Sequence, residues 1–64
     1  MSSSEVYRKK FEEMRLTEEK ARDLYAYEIE RIKDPALLEK LKEIYEDEKK
    51  HVQITSNFID LLSK

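Results

Sequence analysis

Glu48 and His51 stand three residues apart in the run 45-YEDEKKH-51, and His51 is the chain's one histidine. On a helix, a spacing of three sets both side chains on one face, one turn apart. A carboxylate and an imidazole placed together offer oxygen and nitrogen donors to a divalent cation. Two donors from one helix leave the coordination incomplete. The nearest acids of similar placement lie far back in sequence, at Glu18 and Glu28. Their use depends on whether the fold brings a second helix to the height of Glu48 and His51.

The chain is built to make such helices. It has no Cys, which excludes disulfides and thiolate metal sites, and no Gly and a single Pro, which disfavours hairpin turns and phosphate-cradling loops. Pro35 follows Asp34, a good helix start with Asp34 as N-cap and Pro35 at the first helical position. The same proline disfavours helical geometry at the residue before it. The sequence therefore predicts one domain over residues 1–64: a helix over about 4–33, a turn at about 34 and a helix over about 35–63. Each arm would be roughly 45 Å long at 1.5 Å per residue, and the tight connection makes an antiparallel hairpin.

The first arm carries Tyr7, Phe11, Met14, Glu18, Ala21, Tyr25, Glu28 and Ile32 in alternating steps of four and three, a heptad seam over its whole length. The second reads Leu38, Leu41, Tyr45, Glu48, Val52, Thr55, Ile59 and Leu62, widened by Leu37, Ile44, His51 and Phe58. A stripe this wide suits a bundle better than a two-stranded coiled coil. Thr17 with Leu16 before it could open a fresh helix; the unbroken phase of the seam favours one continuous helix. A small helical chain without staples commonly gains its core by oligomerising. The expected fold is all-α, a two-helix hairpin that dimerises into a four-helix bundle, or a larger assembly of such dimers.

Three acids, Glu18, Glu28 and Glu48, lie on the seams, where an unpartnered carboxylate is costly. A cation, or a Lys or Arg from a neighbouring element, would compensate. Measured from residue 34, Glu48, His51 and Glu18 stand at about 21, 25 and 24 Å, whereas Glu28 is only about 9 Å up. Glu18, Glu48 and His51 therefore share a level, and Glu28 is expected on the rim or beside a Lys. A dimer axis near that level would gather four carboxylates and two imidazoles, the ligand set of di-iron carboxylate bundles. Two divalent cations would balance the four carboxylates, with Glu48 placed to bridge them and Glu18 a terminal ligand.

At this point the run 18-EEKARDLYAYEIERIKDPALLEKLKEIYEDEKKH-51 resembles the ferritin-like superfamily, in its rubrerythrin-like branch: Glu18, Ala21, Tyr25 and, about thirty residues on, Glu48 and His51. Ferritins and rubrerythrins carry such a motif twice in four helices. Here it occurs once, a pattern similar to the encapsulated ferritins, whose two-helix subunits complete the iron site by dimerising. The resemblance implies Fe(II) binding and its oxidation by oxygen or peroxide, a ferroxidase-type activity with Glu18, Glu48 and His51 as metal-binding and catalytic residues. It implies two irons per dimer and an encapsulin-type shell as a partner. Mn or Zn could fill the same site without the redox role, because ligand type alone does not select the metal. The chain departs from that family in ending 61-LLSK-64 without the short apolar peptide that docks such ferritins to their shell.

Other classes are less well served. Thirteen Lys and Arg against fifteen Asp and Glu leave a net charge of -2, so there is no basic excess for nucleic acid. No apolar run approaches the roughly 18 residues of a membrane span, and Ser2, Ser3, Ser4 and Glu5 after Met1 do not read as a signal peptide; the expectation is a cytoplasmic protein. Tyr25 is read as core or as a hydroxyl reaching a ligand carboxylate. Asp47, four residues before His51, is read as solvated or as the holder of its second ring nitrogen. Tyr7, Phe11, Met14 and Phe58 are expected in the core. The competing reading is a helical interaction module without metal, its seam acids paired with Lys or Arg.

Overall fold

The computed structural model describes residues 2–63 and contains α1 (Ser3–Ile29) and α2 (Pro35–Leu62), with no strand among the described residues. Both helix starts are capped by side chains. Ser2, in extended backbone, accepts from Glu5 N at 3.2 Å. Asp34, also extended, accepts from Leu37 N at 3.0 Å, and Pro35 follows at the first helical position. Each cap satisfies a donor that a helix start otherwise leaves open. α1 runs without a break through Thr17, whose hydroxyl donates to the Glu13 carbonyl at 3.1 Å. That threonine is spent inside the helix and opens no new one.

α1 ends at Ile29, earlier than the expected boundary near Lys33. The reason is the reversal itself. Packed helix axes lie about 8–10 Å apart, and an extended chain covers at most about 3.6 Å per residue. Several residues must therefore leave helical geometry before Asp34 can cap α2. The amides of Arg31 and Ile32 both return to the Glu28 carbonyl at 3.0 Å. Arg31 folds back further: its Nη1 donates to the Tyr27 carbonyl at 2.8 Å, and its guanidinium lies 3.3 Å over the Tyr27 ring. Ile32, counted as the last seam residue, thus sits in the turn.

The hairpin measures 49 × 14 × 11 Å, with a Cα radius of gyration of 14.8 Å, against about 11 Å for a globular chain of this length. Two helices touch along one line, and only residues on that line are covered. Thr55 and Ile59, at 5% and 7% exposure, are the only buried residues among those described. Phe11 is half-buried and stacks on Phe58, ring centroids 5.3 Å apart and planes 11° from parallel. Tyr7, Met14 and Phe58 were expected in the core, yet in the single hairpin they remain exposed. Their stripe is wider than the contact line. No helix is long and apolar enough to cross a membrane among the described residues.

The cap that starts α2 fixes where the return helix begins. Asp34→Ala should lower stability by about 1 kcal/mol, read as a shift of the urea midpoint at unchanged slope. An unchanged midpoint would show that Pro35 alone sets the start of α2.

Candidate metal centre

Glu18 comes from the middle of α1, and Glu48 and His51 come from one face of α2. One ligand atom from each lies within 4.8 Å of the others. The three residues placed at one level by counting from the turn are therefore together. For comparison, metal–oxygen and metal–nitrogen bonds of about 2.0–2.2 Å put opposite donors on one ion about 4.2 Å apart. The limit of 4.8 Å is wider than that, so the three side chains are neighbours whose donors would have to draw together on one ion.

Glu18 and Glu48 are half-buried and His51 is exposed. The cluster is thus an open one, at the edge of the hairpin and not inside it. At about 100° per residue, Tyr7, Met14 and Ala21 lie on the same side of α1 as Glu18. On α2 the same count puts Phe58 beside His51. Glu18 and His51 thus share their sides of the hairpin with apolar residues, of which Tyr7, Met14 and Phe58 stay exposed.

The local cations do not neutralise the cluster. Among the described residues no ion pair includes Glu18 or Glu48; Arg15 pairs with Glu19, Arg22 with Asp23 and Lys49 with Glu46. Arg22 donates from Nε to Asp23 Oδ1 at 3.0 Å, and that bond, ahead of the nearby acidic charges, holds its guanidinium above the ordinary value. Lys49 adjoins Glu48 in sequence but turns to Glu46 Oε1 at 2.9 Å and over the Tyr45 ring at 4.9 Å. Its ammonium is raised, first by that bond to Glu46. The Lys or Arg compensation that would make these acids purely structural is absent within the described hairpin.

One partner of the cluster was not anticipated. Thr55 Oγ1 donates to Glu18 Oε2 at 3.0 Å across the helix pair. Thr55 is the more completely covered of the two buried residues, and a hydroxyl left unpaired there would cost about 1–3 kcal/mol. The sequence offered a signal: Thr55 is the polar seam residue one turn beyond His51, at i+4. Tyr25, by contrast, is half-buried and makes no hydrogen bond to Glu18, Glu48 or His51 among the described residues. Asp47 is exposed and lines a surface groove with Lys42, Glu43, Glu46 and Lys50. Neither residue holds a ligand side chain in the hairpin.

Compared with known proteins, the chain matches no family model, no curated protein and no solved structure.

Two carboxylate oxygens held close, without a cation between them, repel. In metal-free protein Glu48→Gln should raise stability by a few tenths to about 1 kcal/mol, a gain of roughly 2–6 °C in melting temperature for a chain of this size. The gain should shrink at high salt as the repulsion is screened. A lower melting temperature in Glu48→Gln would mean that the carboxylate has a stabilising partner.

Proposed function

We propose that two copies of this hairpin pair along the face bearing Glu18, Glu48 and His51, and that the pair binds two Fe(II) ions and oxidises them. The observation that carries this reading is the cluster itself: two carboxylates and an imidazole within 4.8 Å of one another, neither carboxylate paired with a Lys or Arg among the described residues. One copy supplies too few donors for a closed site. Two copies supply four carboxylates and two imidazoles, matched in charge to two divalent ions, with coordination positions left for water or oxygen.

The surface supports pairing. The hairpin exposes 5103 Å², against about 4,400 Å² for a compact monomer of its mass. The excess is of the order that one partner contributes to a stable interface, about 800 Å². Tyr7, Met14 and Phe58, at 54%, 48% and 46% exposure, would be covered in such a dimer, and the ligands would lie between the copies.

Fe(II) is then the substrate. Each of two Fe(II) gives one electron to dioxygen, which takes up two protons and leaves as hydrogen peroxide. The chain's own part is to bind and orient. The carboxylates supply negative charge, which favours Fe(III) over Fe(II), and His51 supplies a neutral nitrogen donor. The apolar face limits access of bulk water. With no enclosed volume in a hairpin dimer, the mineral is not stored here, and the natural role is oxidation and handing on of iron, or removal of peroxide.

A second reading keeps the dimer and drops the metal. It draws on the Thr55 hydrogen bond, which already satisfies one oxygen of Glu18. Metal Kd and melting separate the two, because a ligand bound only by the folded state raises its melting temperature.

Anaerobic Fe(II) titration of metal-stripped protein should saturate at one iron per chain. An oxygen pulse should then give a fast near-ultraviolet phase that disappears in Glu48→Ala and His51→Ala. Oxidation no faster than in buffer would sink the ferroxidase reading. Tyr7→Lys, on the same exposed face but about 16 Å along α1 from Glu18, should shift the protein to monomer in analytical ultracentrifugation and weaken iron binding at least tenfold. A monomeric wild type would remove the shared site.

A further inference from the structure

Thr55 is the most buried polar residue described, and it is committed across the helix pair. That choice is not the default for its type. A helical Ser or Thr hydroxyl readily donates to the carbonyl four residues back, and in this chain Thr17 and Ser63 do so, to Glu13 and Ile59, at 3.1 and 2.8 Å. Thr55 donates instead to Glu18 Oε2, thirty-seven residues away in sequence, at 3.0 Å. Helical side chains lean toward their own N-terminus. Glu18 therefore leans away from the turn while Thr55 leans toward it, so the two meet across the antiparallel pair.

The consequence falls on Glu18. A glutamate has three side-chain torsions, and a half-exposed one on a helix samples several of them. A hydroxyl fixed on one oxygen removes most of that freedom. It also decides which oxygen is free. Oε2 accepts the threonine proton, and Oε1, which accepts no hydrogen bond among the described residues, is the less encumbered oxygen for a cation. Outer partners of this kind orient ligands and commonly matter tenfold or more in metal affinity.

We infer that Thr55 is a positioning residue: its hydroxyl holds the Glu18 carboxylate by Oε2 and presents Oε1 toward Glu48 and His51, so that the three act as one ligand set. The inference rests on the metal-binding reading above and adds to it a fourth residue that touches no metal. The carboxylate stays a ligand, and the threonine proton stays on oxygen throughout. Thr55 works through geometry alone.

The test uses Co(II) as the probe, titrated into metal-stripped full-length protein, with affinity and the visible spectrum recorded. Thr55→Val keeps the shape and removes the hydroxyl, and Thr55→Ser keeps the hydroxyl and removes a methyl. The serine variant should bind within about twofold of wild type and give the same spectrum. The valine variant should bind about tenfold or more weakly, with an altered visible band because Glu18 no longer meets the ion in one pose. Metal-free melting and far-ultraviolet circular dichroism report folding separately. If the valine variant does not fold, Thr55→Ala against Thr55→Ser decides, since that pair differs by the oxygen alone. In a Glu18→Ala background, Thr55→Val should cost no further affinity. Valine or alanine binding as tightly as wild type, or serine failing as badly as alanine, overturns the role of Thr55 and leaves the site intact. A wild type that binds no Co(II) overturns the metal reading, and this inference with it.

Discussion

Two long helices laid side by side share one line of contact, and this constraint governs the rest of the molecule. Along that line a residue is covered from one direction only. Aromatic and aliphatic groups beside it stay half wet, which is why Ile59 is the sole buried apolar residue described. Burial at about 25 cal/mol per Å² from a single line cannot fix helices of 27 and 28 residues against the entropy of ordering them. The chain offsets part of this locally. It avoids glycine, caps both starts and lays i,i+4 and i,i+3 ion pairs along the outer faces, as in Arg8–Glu12, Arg15–Glu19 and Lys40–Glu43. These are exposed and individually weak. The apolar face that remains is therefore where further stability has to come from, and it is the same face that carries Glu18, Glu48 and His51.

This coincidence gives the acids their meaning. On a fully solvated surface, Glu18 and Glu48 would be two of many carboxylates in an acid- and lysine-rich chain. At the edge of an apolar face they would oppose pairing along it, because closing it would take them out of water together. A bound cation would reverse the sign, turning repulsion among carboxylates into shared attraction to one charge centre. Metal and partner would then be linked, each making the other more favourable. The Arg and Lys residues nearest in sequence face elsewhere, and so do not remove this tension. Asp23 holds Arg22, and Glu46 holds Lys49.

The hairpin was legible in the sequence because its signals are local. Asp34 and Pro35 act through two adjacent residues, and the seam repeats at every turn. The level of Glu18, Glu48 and His51 was legible too, since helical rise is fixed and the count runs from one turn. The end of α1 was not, because it is set by the distance between helix axes and by Arg31 reaching back to Tyr27, which no local preference encodes. Thr55 was visible as a seam residue, but its bond to Glu18 depends on the lean of two side chains from opposite helices. Asp47 had two readings, a holder of His51 and a solvated acid. The side chain is exposed and joins a polar groove of the outer surface, as the second has it.

The turn has a larger part in this site than its distance suggests. Adding or removing one residue between the helices would shift α2 along α1 by about 1.5 Å or turn it by about 100°. Either change is enough to separate donors that must sit within about 4 Å to share an ion. The Asp34 cap and the Arg31 fold-back lie near one end of a 49 Å hairpin, while the cluster lies near its middle. Between them, rigid helices carry the register without loss, since α1 has no break at Thr17 and neither helix contains a glycine. The register of the cluster is thus set at the reversal and delivered by helical rise. The Thr55 hydroxyl then ties the one carboxylate that comes from the opposite helix, donating to Glu18 Oε2 at 3.0 Å.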